Sequence, residues 1–331
     1  MKKTPFLTTA ISAYNVASSL DQAIQTFINY SPSDLEVIIV NDGSTDDTKT
    51  VATDLANHYP CITLINQKNG GPGAAINTAI QNANGKYFRL LDGDDWFDPI
   101  VFKKFFAKLK TETADLILTE HQEFFTKKHT VELSHDYDNI APNQRLDLKD
   151  LKFKKYGPTL PNATIKTSIL KKSNLKLDHK CFYVDQEYNF ICYASANTVI
   201  KYNFPAYCYR LEQDNQSMAK ANLTKNVYSH EKVCLWLLEK LKSQTLPPEK
   251  TNQLKTHIIA PLCNLQYEIA IKFCHSRKAF LSFDRKLKAY PKFYNNTMVA
   301  GNIIKLHRKT KGLLLFLDPI ISKIGNIKHL K

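Results

Sequence analysis

Leu35-Glu36-Val37-Ile38-Ile39-Val40-Asn41, followed at once by Asp42-Gly43-Ser44, decides the fold. A continuous apolar run rich in β-branched residues is what a strand covered on both faces requires, and such strands belong to parallel sheets flanked by helices. It ends in turn chemistry, and Ser44 with Asp47 three residues on predicts a capping box that opens a helix over 46–58. The same alternation recurs on either side: strands at 6–12, 61–66 and 86–91, helices at 16–30 and 73–82. Strands separated by helices imply a mainly parallel, doubly wound α/β sheet of Rossmann-like type. Ligands in such sheets sit at the carboxyl ends of strands, so the segments to inspect are 12–15, 41–44, 68–73 and 92–95.

Beyond residue 115 the alternation is less regular. A strand is expected at 115–120, a hairpin arm at 124–133 and a short helix near 146–151. A helix follows at 182–194, then a returning strand at 199–209 with Pro205 at an edge or bulge. From about 222 the pattern is helical, over 227–242, 249–275, 280–290, 297–307 and 313–324. The expected organisation is a nucleotide-binding catalytic domain over 1–218 and a basic, mainly helical region over 219–331.

Charge separates the same two parts. Residues 219–331 hold 21 basic and 6 acidic residues, net +15, whereas 1–218 hold 24 and 25, net −1. An anionic partner is therefore expected for the second part only. No recognised nucleic-acid-binding fold or stacking motif accompanies that charge, so nucleic acid is not an expected partner. No apolar stretch is long enough to span a bilayer, and the N-terminus lacks the features of a signal peptide. Seven scattered cysteines form no CxxC pair and read as buried thiols of a reducing cytoplasm.

The most informative chemistry is Leu90-Leu91-Asp92-Gly93-Asp94-Asp95-Trp96. Like charges so close disfavour one another's ionisation unless a cation sits among them, and hard oxygens suit Mg²⁺ or Mn²⁺ shared with substrate phosphates. A surface acidic loop is the plain alternative, weakened by the position at a strand's carboxyl end. Asp42 could accept hydrogen bonds from a base or ribose, or simply cap the next helix. Lys68-Asn69-Gly70-Gly71-Pro72-Gly73 brings backbone close to a ligand and offers helix N–H groups to an anion. It is neither G-x-G-x-x-G nor a Walker loop, which disfavours a hydride-transfer enzyme or an ATPase.

Four segments occur in order: Ser12-Ala13-Tyr14-Asn15; Val40-Asn41-Asp42-Gly43-Ser44-Thr45-Asp46; Asn69-Gly70-Gly71 with Ala74-Ala75-Ile76-Asn77; and Leu91-Asp92-Gly93-Asp94-Asp95. Together they resemble the family 2 glycosyltransferases with the GT-A fold, of bacterial cell-surface polysaccharide type. The resemblance is strong over about 5–100 and looser to about 218. It implies that Ser12, Tyr14 and Asp42 line the nucleoside pocket, with Asn69 and Gly71 beside the donor. Asp94 and Asp92 become the acidic pair of a D-x-D motif holding Mn²⁺ or Mg²⁺, Asp92 nearer the ribose and Asp95 orienting either. Phe182-Tyr183-Val184-Asp185-Gln186-Glu187-Tyr188 is similar to the segment that carries the catalytic base, placed on Asp185 with Glu187 as rival. Tyr209-Arg210 with Gln216-Ser217 is similar to an element that folds over the donor phosphates, Arg210 being its cation. Two departures stand out: Ile76 occupies a place that is often arginine, and Val184 one that is often acidic.

The expected function is inverting, metal-dependent transfer of a hexosyl or N-acetylhexosaminyl group from a nucleotide-diphosphate sugar, a UDP-sugar by family habit. The acceptor would be a cell-surface glycan, a lipid-linked oligosaccharide or a teichoic-acid-like polymer. The rivals are a nucleotidyltransferase that makes sugar nucleotides, disfavoured because no Arg/Lys-containing glycine loop follows the first strand, and a non-catalytic scaffold that binds nucleotide sugars. The basic cluster 305–311 abutting the apolar run 313–317 reads as an amphipathic segment attracted to an anionic membrane surface at the inner face of the cell membrane. Packing as a solvated helical subdomain, binding of an acidic polymer acceptor, and a homo-oligomer contact are the alternatives.

Overall fold

Parallel pairing at the amino-terminal end follows from the apolar runs. In the computed structural model, which describes residues 4–28, 34–153, 157–174, 176–212, 219–296, 299 and 301–315, β1 (Leu7–Ala13) lies between β2 (Leu35–Asn41) and β4 (Tyr87–Asp92). β3 (Ile62–Asn66) extends the sheet beyond β2, giving the order 3-2-1-4 with all four strands parallel. The side chains of β1, β2 and β4 are buried on both faces, whereas β3 at the edge is buried only at Ile62. Helices α1 (Ala17–Gln25), α2 (Thr48–His58) and α3 (Pro72–Asn82) make the crossovers.

After β4 the sheet becomes mixed. A short β5 (Trp96–Phe97) leads into α4 (Pro99–Leu109), whose cap Asp98 accepts the N–H groups of Ile100 and Val101. β6 (Leu116–Phe125) turns back as β7 (Thr130–Leu133), the expected hairpin. β8 (Arg145–Asp147) follows, then β9 (Ala163–Lys166), α5 (Thr167–Ser173), α6 (Asp185–Ser195) and β10 (Thr198–Leu211). The full order is β3-β2-β1-β4-β9-β6-β10-β5, with β9 antiparallel to both neighbours and β10 parallel to β6. The carboxyl ends of β1, β2, β3, β4, β6 and β10 therefore share one edge. The register of β10 on β6 shifts between Tyr202 and Tyr207, the bulge that Pro205 calls for.

Three local expectations are corrected. The capping box at Ser44 does not form: its hydroxyl accepts the Asn15 N–H at 3.1 Å, and Asp46 Oδ1 accepts the Thr48 N–H at 3.0 Å. The short helix near 146–151 is instead strand β8, because Arg145–Asp147 pair with Thr198–Ile200. Helix α6 begins at Asp185 rather than 182, since Tyr183 stands at φ +67° and cannot continue a right-handed helix.

The carboxy-terminal part is helical: α7 (Lys220–Lys225), α8 (Val227–Ser243), α9 (Pro248–Leu254), α10 (Ala260–Glu268), α11 (Arg277–Leu287), α12 (Pro291–Tyr294) and α13 (Asn302–Lys309). The stretch expected as a single helix over 249–275 carries π-helical turns at Lys255–Ile259 and Ile269–Phe273. Pro261, which has no N–H for a regular i→i−4 bond, sits just after the first of them. The chain divides into two units, Met1–Gln213 with Pro247–Gln253, and Asp214–Leu246 with Leu254–Lys331. In the first, Lys250 Nζ donates to the carbonyls of Ala194 and Ala196 at the carboxyl end of α6, at 2.8 and 2.6 Å. In the second, Arg308 on α13 donates to Asp284 Oδ1 at 2.6 Å, Tyr294 O at 2.7 Å and Tyr267 Oη at 2.9 Å. The helix expected over 313–324 lies outside the described residues beyond Leu315. Among the described residues, no helix is long and apolar enough to cross a membrane.

Candidate active site

The strand order reverses between β1 and β4, and a crevice at such a switch point is the place a parallel sheet offers a ligand. Ser12 and Asp92 are register partners across it. Beyond Ser12, Tyr14 is 48% exposed at the rim. Asn15 takes a left-handed turn at φ +55°, and its Oδ1 accepts the Thr45 N–H at 2.8 Å, tying the loops after β1 and β2 together.

Asp42, at the end of β2, is buried and turned toward the glycine-rich loop. Oδ1 accepts from Gln67 Nε2 at 2.7 Å and from the Gly70 N–H at 2.9 Å, while Oδ2 accepts the Gly71 N–H at 2.7 Å. The anion held by these two loop amides is thus the protein's own carboxylate. Gly71 caps α3 at φ +82°, where a side chain would be strained. Asn69 is exposed beside it. Ile76 is buried, so the position often held by arginine is part of the core.

Asp92, Asp94 and Asp95 form a tight turn, with the Asp95 N–H donating to Asp92 O at 3.1 Å. Asp95 is buried: Oδ2 accepts the Tyr207 hydroxyl at 2.6 Å and Oδ1 the Arg210 N–H at 2.8 Å. Arg210 donates Nε–H to Asp94 O at 3.0 Å and Nη2–H to Gln22 Oε1 at 3.3 Å, and its guanidinium lies 4.8 Å over the Trp96 ring. The carboxyl of Asp92 is raised to about 7, first by burial and then by the charges of Asp94 and Asp185. Asp95 is held well above the usual carboxylate range by burial and by Asp92 and Asp94, against its two hydrogen bonds. The Tyr209 phenol is pushed up by burial and by the charges of Asp92, Asp95, Asp185 and Asp94.

Asp185 is the first residue of α6, and burial raises its carboxyl pKa, opposed by hydrogen bonds from Gln186. Val184 is buried in the core. Glu187 is fully buried and its Oε2 accepts the Asp178 N–H at 2.8 Å, so it fastens the loop before α6. That loop is joined to α3: Asn77 exchanges hydrogen bonds with the backbone of Leu177 at 2.8 and 3.0 Å. The structure brings Asp92, Asp94, Asp95, Asp185 and Arg210 into one electrostatic neighbourhood, and Asp42 with Gly71 into another. Gln216-Ser217 lies outside the described residues. Tyr207 escaped the sequence reading, although strand alternation from Tyr209 places it on the same face.

Whether these residues suit a divalent cation turns on the donor set. Among the described residues, no three or more His, Cys, Asp or Glu side chains form a closed metal cage. Asp92 and Asp94 instead offer an open set of hard oxygens whose mutual repulsion a cation would relieve, the arrangement that leaves other positions to water and phosphate. They fit.

Residues 8–175, about half the chain, match the model of glycosyl transferase family 2. The chain belongs to that family. Within it, the chain is 37% identical over 99 residues to the chondroitin synthase of Escherichia coli, covering 30% of this chain and 14% of that protein. It spans well under two thirds of the curated relatives it matches. The crystal structure of S. aureus TarS 1–349 in complex with UDP superposes with a TM-score of 0.67 at 16% identity, covering 96% of this chain and 91% of that one. The mannosyltransferase PcManGT from Pyrobaculum calidifontis, in complex with GDP-Man and Mn²⁺, superposes at 0.55 with 15% identity, over 96% and 87%. These likenesses establish the GT-A fold for the chain.

Proposed function

We propose that the protein is an inverting glycosyltransferase that moves a hexosyl or N-acetylhexosaminyl group from a UDP-sugar onto a hydroxyl of a cell-surface glycan, lipid-linked oligosaccharide or teichoic-acid-like polymer. One observation carries the reading: the acidic turn at the end of β4 and Asp185 at the start of α6 are close enough that each charge perturbs the same buried carboxyl, Asp92. In this reading one carboxylate set serves the leaving diphosphate and a separate carboxylate the incoming hydroxyl. The fold shared with TarS, whose structure holds UDP, supports the donor class.

Asp92 and Asp94 would hold Mn²⁺ or Mg²⁺, which when bound supplies Lewis-acid neutralisation of the departing diphosphate. Arg210, fixed on Trp96 and Asp94 O, adds cationic charge beside it. Ser12, Tyr14 and the Asp42–Gly71 pair bound the nucleoside end. Asp185 takes the proton of the acceptor hydroxyl as its oxygen bonds to the anomeric carbon and the carbon–phosphate oxygen bond breaks, inverting the configuration. A thermal-shift panel of nucleotide sugars with Mn²⁺ tests this: a UDP-sugar should raise the melting temperature. No shift with any nucleotide sugar would refute the donor assignment.

Membrane contact at the inner face is the proposed role of the basic carboxy-terminal part. On α13 and the turn after it, Lys305, Lys309, Lys311 and Leu313 are exposed while Ile304 and His307 are buried, so cations and an apolar tip share the outer surface. Co-sedimentation with anionic vesicles should fall when 297–331 is deleted, and equal binding with and without it would count against an anchor there.

A further inference from the structure

Arg89 carries a guanidinium into the core of the first unit with no carboxylate to meet it. It is fully buried, and among the described residues it has no ion-pair partner. Its hydrogen bonds go to neutral acceptors: Thr164 Oγ1 at 2.8 Å, Pro161 O at 2.6 Å and, weakly, Thr119 Oγ1 at 3.5 Å. Nε has no partner. Three aromatic rings face the guanidinium, Phe105 at 5.1 Å, Phe97 at 5.4 Å and Tyr207 at 6.0 Å. A buried cation so placed is costly compared with an apolar side chain of similar volume, and a cost of that kind calls for a reason.

Tyr207 supplies the reason. Its ring rests against Arg89 and, edge-on, against Phe97 at 5.9 Å, while its hydroxyl reaches the acidic turn at both ends. It donates to Asp95 Oδ2 at 2.6 Å and accepts the Asp92 N–H at 3.2 Å. One phenol therefore brackets residues 92 and 95 of the turn, with Asp94 between them, while the buried guanidinium lies against its ring. Resting on the metal-dependent reading above, we propose that Tyr207 is a positioning residue, braced by the Arg89 guanidinium, that presets the 92–95 turn to accept a divalent cation with a nucleoside diphosphate. Neither residue touches the ligand.

The test uses the full chain. Mn²⁺ bound in the presence of UDP is measured by electron paramagnetic resonance for wild type, Tyr207→Phe and Arg89→Met, together with the melting temperature of each ligand-free protein. Both variants should bind Mn²⁺ with UDP at least about tenfold more weakly, Tyr207→Phe through its lost hydrogen bond to the Asp95 carboxylate and Arg89→Met through loss of the brace behind the ring. Tyr207→Phe should melt within a few degrees of wild type, and Arg89→Met at or above it, because an apolar side chain of similar volume spares the cost of burying the cation. Wild-type affinity in both variants, or a loss that vanishes when each is assayed equally far below its melting point, would overturn the proposal. If Arg89→Met does not fold, Tyr207→Phe decides alone. A wild-type chain that binds no Mn²⁺ with UDP overturns the metal reading itself, a result separate from failure of the strut.

Discussion

The backbone N–H of Lys180 donates to the carbonyl of Gly70 at 2.6 Å, so the loop that leads to Asp185 and the glycine-rich loop that holds Asp42 are one piece of structure. The join is tight at Gly73, where an added Cβ would lie 2.2 Å from Asp178 O, a backbone atom that cannot swing aside. Gly73→Ala should cost about 1–3 kcal/mol by overpacking. It should also raise the KM for the donor, because Asp42 and the base-bearing loop shift together. Urea denaturation and steady-state kinetics check the two effects, and a neutral substitution would show that the loops are not coupled.

Asp185→Asn should lower kcat at least about a hundredfold while leaving donor binding nearly intact, the range expected for a positioned base. Only the ionised carboxylate accepts a proton, and burial raises its pKa. Activity is therefore retained at higher pH and lost as pH falls, with the acid limb above the ordinary carboxylate range. A kcat/KM profile on wild type, flat down to the normal aspartate range, would remove Asp185 from the role.

Chelation with EDTA should abolish transfer, and Mn²⁺ or Mg²⁺ should restore it. Without metal, burial and the neighbouring Asp94 and Asp185 raise the Asp92 carboxyl from its ordinary 3.8 to about 7, so between those values the folded state holds the proton that the unfolded state has released. Stability of the metal-free protein should accordingly decline as pH rises through that window. Mn²⁺ with UDP competes with the same proton, and its melting-temperature increment should be larger at pH 7.5 than at pH 5.5. An increment that does not change with pH would argue against Asp92 as a ligand.

Lys250→Ala should destabilise the first unit by about 1–3 kcal/mol, since two carbonyls at the end of α6 would lose their buried donor. Thermal or urea unfolding of the full chain measures it. The same variant should leave donor KM nearly unchanged, because the contact lies at the opposite end of α6 from Asp185.

Much of this fold was legible in the chain. The runs at Leu35–Asn41 and Tyr87–Asp92 are strands because they bury apolar side chains on both faces, whereas the pairing of Ser12 with Asp92 emerges only in the assembled sheet. Strand β8 was not legible: Arg145-Leu146-Asp147 has one apolar residue between two charges, and its strand character comes from pairing with β10. Nor could the start of α6 be read, because a left-handed Tyr183 is set by tertiary context rather than propensity. The acidic turn announced itself by composition, whereas Arg89 and Tyr207 look in sequence like ordinary strand residues. Their relation to the turn exists only once β4 and β10 are brought together.

Because Pro247–Gln253 returns to the first unit after the chain has begun the second, the two units are interleaved along the polypeptide. No single cut separates them. An expression fragment ending near 218 would leave the final carbonyls of α6 without their lysine, and the remaining fragment would carry a helix that belongs elsewhere. A fragment that keeps the first unit whole would join 1–213 to 247–253 by a short bridge in place of 214–246 and end near 253.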